Sequence, residues 1–503
     1  MDQIFMYEHP SLVIYNNSQH LKKDLFSSNR VTFSTTSFNL LLKNFKLQKV
    51  GLLVYNLSLV EEGDLFMRGF TNFIDRMVQR YLPDAFLFAV ILTLIVYVLG
   101  MLTTDSGPVD MLAHWGDGFW GLLEFAMQMS LVVVTGYILA STPVIKRLLV
   151  RLSTIAKTPV QAVLLVTFVA LIGNIINYGF GLVVGALFAV HVARQVPNVD
   201  YRVLVASAYS GFLIWHGGFS GSIPLTIATP GHFLEDMMGR IPITETLFSP
   251  FNLFTVLFLL LTLPLFNWFL LKNIDSNPGQ KLKAPEEEED YIEFEPTTPA
   301  ERLENSQLVS LLIGVMGLSF TVYFFATNGF DLNINVVNFI FLFLGIILHR
   351  TPKRFLDTVG NGVRNAGGII IQFPFYAGIM GMMSESGLST AISNWFVSFS
   401  TDYTLPLFAF ISGGIVNFFI PSGGGQWAVQ GPIMIQAALD LGADPAKAAM
   451  AVAWGDSWTN MIQPFWALPV LAIAGLKVRD IMGLCVMILI FSFFPVALGL
   501  LIF

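Results

Sequence analysis

Long apolar segments, separated by short polar ones, fill the chain from about residue 84 to its end. Several reach roughly 18 residues or more, the length that a helix needs to cross the hydrocarbon core of a bilayer. This pattern predicts an all-α polytopic membrane protein with about ten to twelve transmembrane helices. The uninterrupted apolar runs include Asp84–Leu102, Phe119–Ser141, Phe251–Leu271, Leu308–Ala326, Val336–His349, Gly367–Met383 and Ile481–Phe503.

Four further apolar runs are interrupted by Gly, Asn, Ser and Pro. In Asn417–Gln430, Pro421 precedes three glycines by two residues, a combination that interrupts a helix. Irregular backbone at membrane depth is tolerated only where protein or a water-filled cavity satisfies it. A loop outside the membrane is the alternative, disfavoured because no charged residue lies between Asp402 and Asp440. The other interruptions are Asn174–Gly181, Trp215–Pro224 and Trp454–Pro464.

The two halves of the chain match each other at a nearly constant offset, which indicates an internal repeat. Pro108 corresponds to Pro352 at an offset of 244 residues, and Asn174 corresponds to Asn417 at an offset of 243. In the first half, Lys and Arg cluster after the second span, Phe119–Ser141. In the second half, they cluster after Val336–His349, the span that corresponds to the first span of the first half. Because basic loops mark the cytoplasmic side, we expect two inverted-topology repeats with broken or re-entrant helices.

The division of the chain follows from these patterns. Residues 1–64 lack sustained periodicity and are expected to be disordered or absent from the native protein. Residues 65–271 form the first membrane repeat, and residues 272–304 an acidic cytoplasmic linker that contains Glu286–Asp290. Residues 305–503 supply an extra span and the second repeat.

Composition excludes several function classes. Of the 503 residues, 54% are hydrophobic and only 12% are charged, and the net charge of −7 gives no reason to expect a nucleic-acid partner. The single cysteine, Cys485, forms neither an intrachain disulfide nor a metal site. The chain has no phosphate-binding loop, paired zinc histidines or nucleophile elbow, so we expect neither an enzyme nor an ATP-driven pump, and no cofactor or metal.

The broken segments suggest a binding site for a small carboxylate. They contain no Lys or Arg, so helix N-termini, hydroxyls and amides would hold the anion. For any single Asn or Ser here, capping of a helix end is an equally good explanation. The candidate substrate-binding residues are Asn174, Asn177, Ser220, Ser222, Asn417, Ser422, Gly423, Gly424, Gln426 and Trp458.

Ionisable groups inside a membrane are costly and therefore candidates for function. Asp456 lies inside a broken segment, and with Asn460 it is predicted to bind a coupling ion, either a proton or a sodium ion. For His216 and Glu124 a structural role is favoured.

Several motifs together resemble one bacterial family. They include Trp115–Trp120 (WGDGFW), Gly217–Ser222 (GGFSGS), Gln372–Gly378 (QFPFYAG), Pro421–Gly425 (PSGGG) and Gln463–Pro469 (QPFWALP). From about Arg68 to its C-terminus the chain resembles the bacterial short-chain fatty acid transporter family, of the acetoacetate and butyrate permease type. The family pattern does not include residues 1–64, and it tends to have glycine at position 216 and glutamate at position 456.

The resemblance implies uptake of short-chain fatty acids across the bacterial inner membrane, driven by an ion gradient. It supplies no established binding residues. The expected partners are a small monocarboxylate and the lipid bilayer. Whether the protein forms a homo-oligomer is left open by the sequence. The residues alone also allow a carrier of another organic anion or of amino acids, or a channel.

Overall fold

Helices form the regular structure of the computed structural model, which describes residues 85–273 and 297–503, and these two ranges contain no β-strand. In the first half the helices are α1 (Ala85–Thr103), α2 (Pro108–Gly118), α3 (Leu123–Ala140), α4 (Pro143–Ser153), α5 (Pro159–Ile176), α6 (Tyr178–Gln195), α7 (Tyr201–Ser210), α8 (Ser222–Ala228), α9 (Glu235–Met238) and α10 (Pro250–Asn273). A 3-10 helix, Gly211–Gly217, continues α7.

The second half is also made of long helices and short ones. Its helices are α11 (Pro299–Glu304), α12 (Gln307–Asn328), α13 (Ile334–His349), α14 (Pro352–Glu385), α15 (Leu388–Phe399), α16 (Leu405–Val416), α17 (Gly423–Leu441), α18 (Pro445–Thr459), α19 (Pro464–Ala474) and α20 (Val478–Ile502). A short 3-10 helix, Asn460–Ile462, follows α18.

Among the described residues, seven helices are long and apolar enough to cross a membrane, and four shorter apolar helices accompany them. The prediction of an all-α polytopic membrane protein is therefore confirmed. The expected total of about ten to twelve is reached only when the shorter helices are counted. Two of these, Leu405–Val416 and Phe465–Ala474, are short because a break adjoins each of them.

Helix α14 is much longer than the apolar run Gly367–Met383 from which it was predicted. Its first part is polar but still helical, because Pro352 occupies its first turn and the Thr351 side chain accepts a hydrogen bond from the Arg354 N–H. The helix contacts α1, α2 and α3 along its length. It thereby joins the second half of the chain to the first.

The breaks are narrower than the sequence indicates. Helix α5 continues through Ile176, and only Asn177 separates it from α6. Likewise the stretch from Trp454 to Thr459 is helical, and the irregular backbone begins at Asn460. The glycines after Pro421 start helix α17 instead of ending one, because the Ser422 hydroxyl caps the Gly425 N–H.

Small residues let the helices around the breaks approach closely. A Cβ on Gly173 would lie 3.0 Å from the Cα of Gly181, so α5 and α6 are in backbone contact. A Cβ on Gly413 would lie 2.9 Å from the Val452 carbonyl oxygen, so α16 packs on α18 in the same manner. Close approach through glycine is a common way for membrane helices to pack, because lipid supplies no hydrophobic driving force between them.

The basic stretches of the two halves meet at one end of the bundle. Helix α4 contacts α13, and His349 at the end of α13 has Lys146 of α4 and Arg354 of α14 as its charged neighbours. The His349 Nε2 lies 2.9 Å from the Ile138 carbonyl oxygen of α3. Positive residues from both halves therefore lie near one another around His349, and the inverted repeat itself stays a prediction.

The domain boundaries lie partly outside the described residues. The expectation for residues 1–64 falls wholly outside them, and the core of the acidic linker, residues 274–296, does as well. At the end of the linker, Pro299–Glu304 forms α11, whose Thr298 and Glu301 make a reciprocal capping box.

Candidate functional site

A cavity of about 190 Å³ lies where the broken segments of the two halves meet. Its wall is mainly apolar and aromatic, with contributions from Tyr178, Trp215 and Trp466. Besides the phenols and the indole N–H groups, the polar side chains among the lining residues are the hydroxyls of Ser222 and Ser422 and the amide of Gln372. None of the lining residues is charged. The cavity can therefore accept an apolar group but offers only neutral donors to a polar one.

Helix α6 begins at this cavity because its first turn is capped from outside the helix. The Asn177 Oδ1 accepts a hydrogen bond from the Phe180 N–H at 2.9 Å, and the Ser220 hydroxyl accepts one from the Tyr178 N–H at 2.8 Å. In return, the Phe219 N–H donates to the Ile175 carbonyl at 2.7 Å. Asn177 and Ser220 thus hold two breaks together and lie beside the cavity, not on its wall.

Helix α17 also begins at the cavity, and its first two residues, Gly423 and Gly424, line it. The N–H groups in the first turn of a helix have no intrahelical acceptor, and the helix dipole makes that end positive. A carboxylate can therefore bind there without a lysine or arginine. Gly423 is required by space, since a Cβ would lie 2.5 Å from the His216 Nε2 and 2.8 Å from the Trp215 ring.

A buried polar network lies behind this wall. The His216 Nε2 is 3.3 Å from the Asp456 Oδ2, and neither side chain has any exposed surface. The two atoms lie within the distance of an ion pair but without the alignment of a hydrogen bond. The Asn460 amide donates to the same Asp456 oxygen at 3.1 Å. The predicted coupling residues Asp456 and Asn460 are thus in direct contact, and His216 joins them from the first half of the chain.

Asn417 ties this network to the end of α16. Its Nδ2 lies 2.7 Å from the Asn460 Oδ1 and 3.0 Å from both the Asp456 carbonyl oxygen and the Thr459 hydroxyl. The Gln463 amide donates to the Asn417 carbonyl at 3.3 Å. The backbone carbonyl of Asn417 at the end of α16 therefore finds a partner inside the protein.

The predicted substrate residues divide into three groups. Ser222, Ser422, Gly423 and Gly424 line the cavity, and Asn177, Ser220 and Asn417 bond the breaks around it. In the third group, Asn174 and Gln426 make hydrogen bonds away from the cavity. The Asn174 amide donates to the Ala170 carbonyl of its own helix at 2.8 Å. The Gln426 amide donates to the Gly413 carbonyl and to Gln430, both at 2.9 Å.

Trp458 lies apart from the cavity. Its indole N–H donates to the Leu489 carbonyl of α20 at 2.8 Å, and its ring packs on Phe410 and Phe493. Conversely, Gln372 and Tyr178 line the cavity although neither was among the predicted site residues. A signal for Gln372 was present, since it lies in the QFPFYAG motif and corresponds to Gln128 in the first half.

Comparison with known proteins identifies the family. Residues 66–503 match the family described as Short chain fatty acid transporter. An Escherichia coli K12 protein is 47% identical over 435 residues, covering 86% of this chain and 99% of its own length. A Haemophilus influenzae protein is 47% identical over 431 residues, covering 84% and 96%. Both are named "Putative short-chain fatty acid transporter".

A solved structure shares the fold. The Alcanivorax borkumensis YdaH transporter, whose crystal structure is described as revealing an unusual topology, superposes with a TM-score of 0.53 at 16% identity, covering 83% of this chain and 98% of its own. At that identity the similarity concerns the fold alone. The resemblance found in the sequence is confirmed by the family match: the chain belongs to the short-chain fatty acid transporter family and is a multi-pass transport protein of the bacterial inner membrane, not an enzyme.

Proposed function

We propose that the protein takes up short-chain monocarboxylates, such as butyrate and acetoacetate, by ion-coupled alternating access. The observation that carries this proposal is the uncharged, largely aromatic cavity at the start of α6, α17 and α19, each of which contributes residues from its first turn. An apolar wall suits a short acyl chain, and helix N-termini suit one carboxylate.

The size of the cavity supports a short substrate. A volume of about 190 Å³ gives room for roughly six water-sized groups at about 30 Å³ each, which is about the number of non-hydrogen atoms in butyrate. A dicarboxylate would bring a second charge, and no Lys or Arg lines the cavity to balance it.

The arrangement of the breaks supports alternating access. In secondary transporters of inverted-repeat type, broken helices meet at a central site, and one repeat-derived unit moves against the other. Here Asn177 and Ser220 come from the first half, whereas Ser422 and Asn460 come from the second. A coupling ion at Asp456 and Asn460 would lie next to the substrate, on the side of the second half.

Counterflow in proteoliposomes tests the proposal. Vesicles preloaded with unlabelled butyrate should accumulate labelled butyrate transiently and saturably. This accumulation should exceed the background in protein-free vesicles, where the protonated acid diffuses through the bilayer. Acetoacetate should compete, and succinate and alanine should not. Linear, non-saturable entry would indicate a channel, and competition by succinate equal to that by butyrate would contradict a monocarboxylate site.

A serine pair provides a matched variant and control. Ser422→Ala removes a hydroxyl at the cavity wall and should weaken butyrate binding about tenfold, the effect of losing one hydrogen bond to a charged group. Ser310→Ala removes a buried hydroxyl on α12, away from the cavity, and should leave binding unchanged. Equal effects of the two substitutions would argue against the cavity as the substrate site.

A further inference from the structure

His216 and Asp456 form a buried pair of ionisable groups behind the cavity wall. His216 ends the 3-10 helix after α7, and Asp456 lies in the last turn of α18, so each half of the chain supplies one partner. Both are fully buried, with 3.3 Å between Nε2 and Oδ2. Resting on the proposed function, we propose that this pair carries one proton that is co-transported with each monocarboxylate.

The surroundings of the pair favour occupancy by a proton. The Asn460 amide donates to Asp456, and the phenols of Tyr178 and Tyr209 are the titratable groups that face it, with the Cys485 thiol beside Tyr209. The broken segments supply no Lys or Arg. With one proton the pair is neutral overall, either as imidazolium and carboxylate or as two neutral groups. Without it, a single negative charge stays buried, which is costly in a dry interior.

The chemistry of the contacts favours a proton over a sodium ion. The Asp456 Oδ2 faces two nitrogen atoms, the His216 Nε2 at 3.3 Å and the Asn460 Nδ2 at 3.1 Å. Hard cations are bound by shells of oxygen atoms, and an amide N–H directed at the carboxylate occupies a position that such a cation would need. An imidazole next to a carboxylate is, by contrast, a pair between which a proton can be held.

The pair is placed to sense the substrate. The His216 ring packs against Gly423 and against Trp215, with 3.7 Å between the ring centroids of Trp215 and His216, and both of these neighbours line the cavity. A carboxylate at the start of α17 would therefore lie one residue away from the imidazole. Its negative charge favours the protonated pair, and by linkage the proton on the pair favours binding of the carboxylate to the same extent.

The charge balance of the cycle follows. One proton enters the pair and one carboxylate enters the cavity from the outward-facing side, so the loaded site gains no net charge. Both leave on the inward-facing side, where the proton returns to water. The change of the loaded protein from the outward-facing to the inward-facing state is therefore electroneutral. The empty protein returns with neither.

Calorimetry of butyrate binding to the purified full-length protein in detergent tests this directly. Titrations in two buffers of different ionisation heat, between about pH 6 and pH 8 around the ordinary imidazole pKa, give the number of protons taken up per butyrate bound. For the wild type we expect close to one proton at the upper end of this range, and affinity that falls by up to about tenfold per pH unit. Asp456→Asn should bind butyrate without proton uptake and without this pH dependence.

Two further variants keep the test decisive. Asp440→Asn makes the same change at an exposed carboxylate near the end of α17 and should behave as the wild type. If Asp456→Asn fails to fold, the double variant His216→Gln/Asp456→Asn replaces the pair with two amides that can bond each other, and it predicts the same loss of proton uptake.

Other outcomes would overturn the inference. Proton uptake that persists in Asp456→Asn would mean that the substrate binds as the neutral acid. Affinity that depends on sodium instead of pH would assign the coupling ion to sodium and leave the substrate class intact. Folded wild-type protein that binds no butyrate would refute the proposed function itself.

Discussion

Asn417→Ala is expected to destabilise the protein more than any matched asparagine substitution, because Asn417 joins the end of α16 to the break after α18. Its side chain is fully buried. Its amide nitrogen is surrounded by three oxygen atoms, from the Asp456 backbone, Thr459 and Asn460, at 2.7–3.0 Å. An amide carries two protons, so two of these oxygens receive a hydrogen bond at any moment.

The magnitude follows from these contacts. Alanine at position 417 leaves the buried Asn460 Oδ1 without a donor, which costs about 1–3 kcal/mol, and it removes one further hydrogen bond, worth about 0.5–1.5 kcal/mol. The Asp456 carbonyl still accepts from the Asn460 backbone N–H, and the Thr459 hydroxyl keeps its own bond to the Gly414 carbonyl at 3.0 Å, so neither group is left unpaired. The expected loss is therefore about 2–4 kcal/mol in the free energy of unfolding, in addition to the cost of the cavity that the smaller side chain leaves.

Asn174→Ala is the control for that cavity. Asn174 is also fully buried and occupies the corresponding position of the first half, but its amide donates within its own helix, to Ala170. Asn174→Ala removes the same atoms as Asn417→Ala, but it breaks no hydrogen bond between α16 and the segment after α18.

The assay is equilibrium unfolding in detergent, followed by tryptophan fluorescence for both variants and the wild type. We expect Asn417→Ala to lose about 1–3 kcal/mol more than Asn174→Ala. Equal losses, or a greater loss for Asn174→Ala, would refute the view that Asn417 holds the two broken segments together.

Three further predictions concern the cavity. Gly423→Ala places a methyl 2.5 Å from the His216 Nε2 and should weaken butyrate binding at least about fivefold through a repacking cost of roughly 1–3 kcal/mol. Gly367→Ala, which has open space around its Cβ, should not weaken binding, and calorimetry with butyrate compares the two variants. Leu182→Ala enlarges the cavity and should shift its preference towards hexanoate, by about 0.8 kcal/mol per additional buried methylene. Competition in counterflow measures this preference, and an unchanged order would contradict the position of Leu182 on the cavity wall. Trp458→Phe removes an indole bonded to α20 and should leave butyrate affinity within about twofold, so a larger loss would bring this ring back into the binding site.

Much of the fold could be predicted from the sequence. Except for α14, the uninterrupted apolar runs specify helices that differ from the observed ones by a few residues, as in Leu308–Ala326 against Gln307–Asn328. The breaks were also located, because Pro, Gly and Asn have strong local effects on backbone conformation. Their extent was overestimated, since Ser422 and Asn177 cap the following helix and restore regular structure within a residue or two.

The candidate site was predicted less completely. Residues on the breaks themselves, such as Ser222 and Gly423, line the cavity as expected. Gln372 was missed, although it lies in the QFPFYAG motif, because it is inside a continuous helix and the site prediction was confined to residues at the breaks. Trp458 was included because it lies near a break, but the helix turns its side chain towards α20.

The sequence by itself determined that the chain forms apolar helices, where these helices are interrupted, and that the interruptions carry no positive charge. Only the tertiary structure decided that His216 and Asp456, 240 residues apart, meet behind Gly423. The physical reason is that lipid is as apolar as the protein interior. A membrane helix therefore needs no polar face, and its sequence does not reveal which side faces the bilayer and which side faces the site.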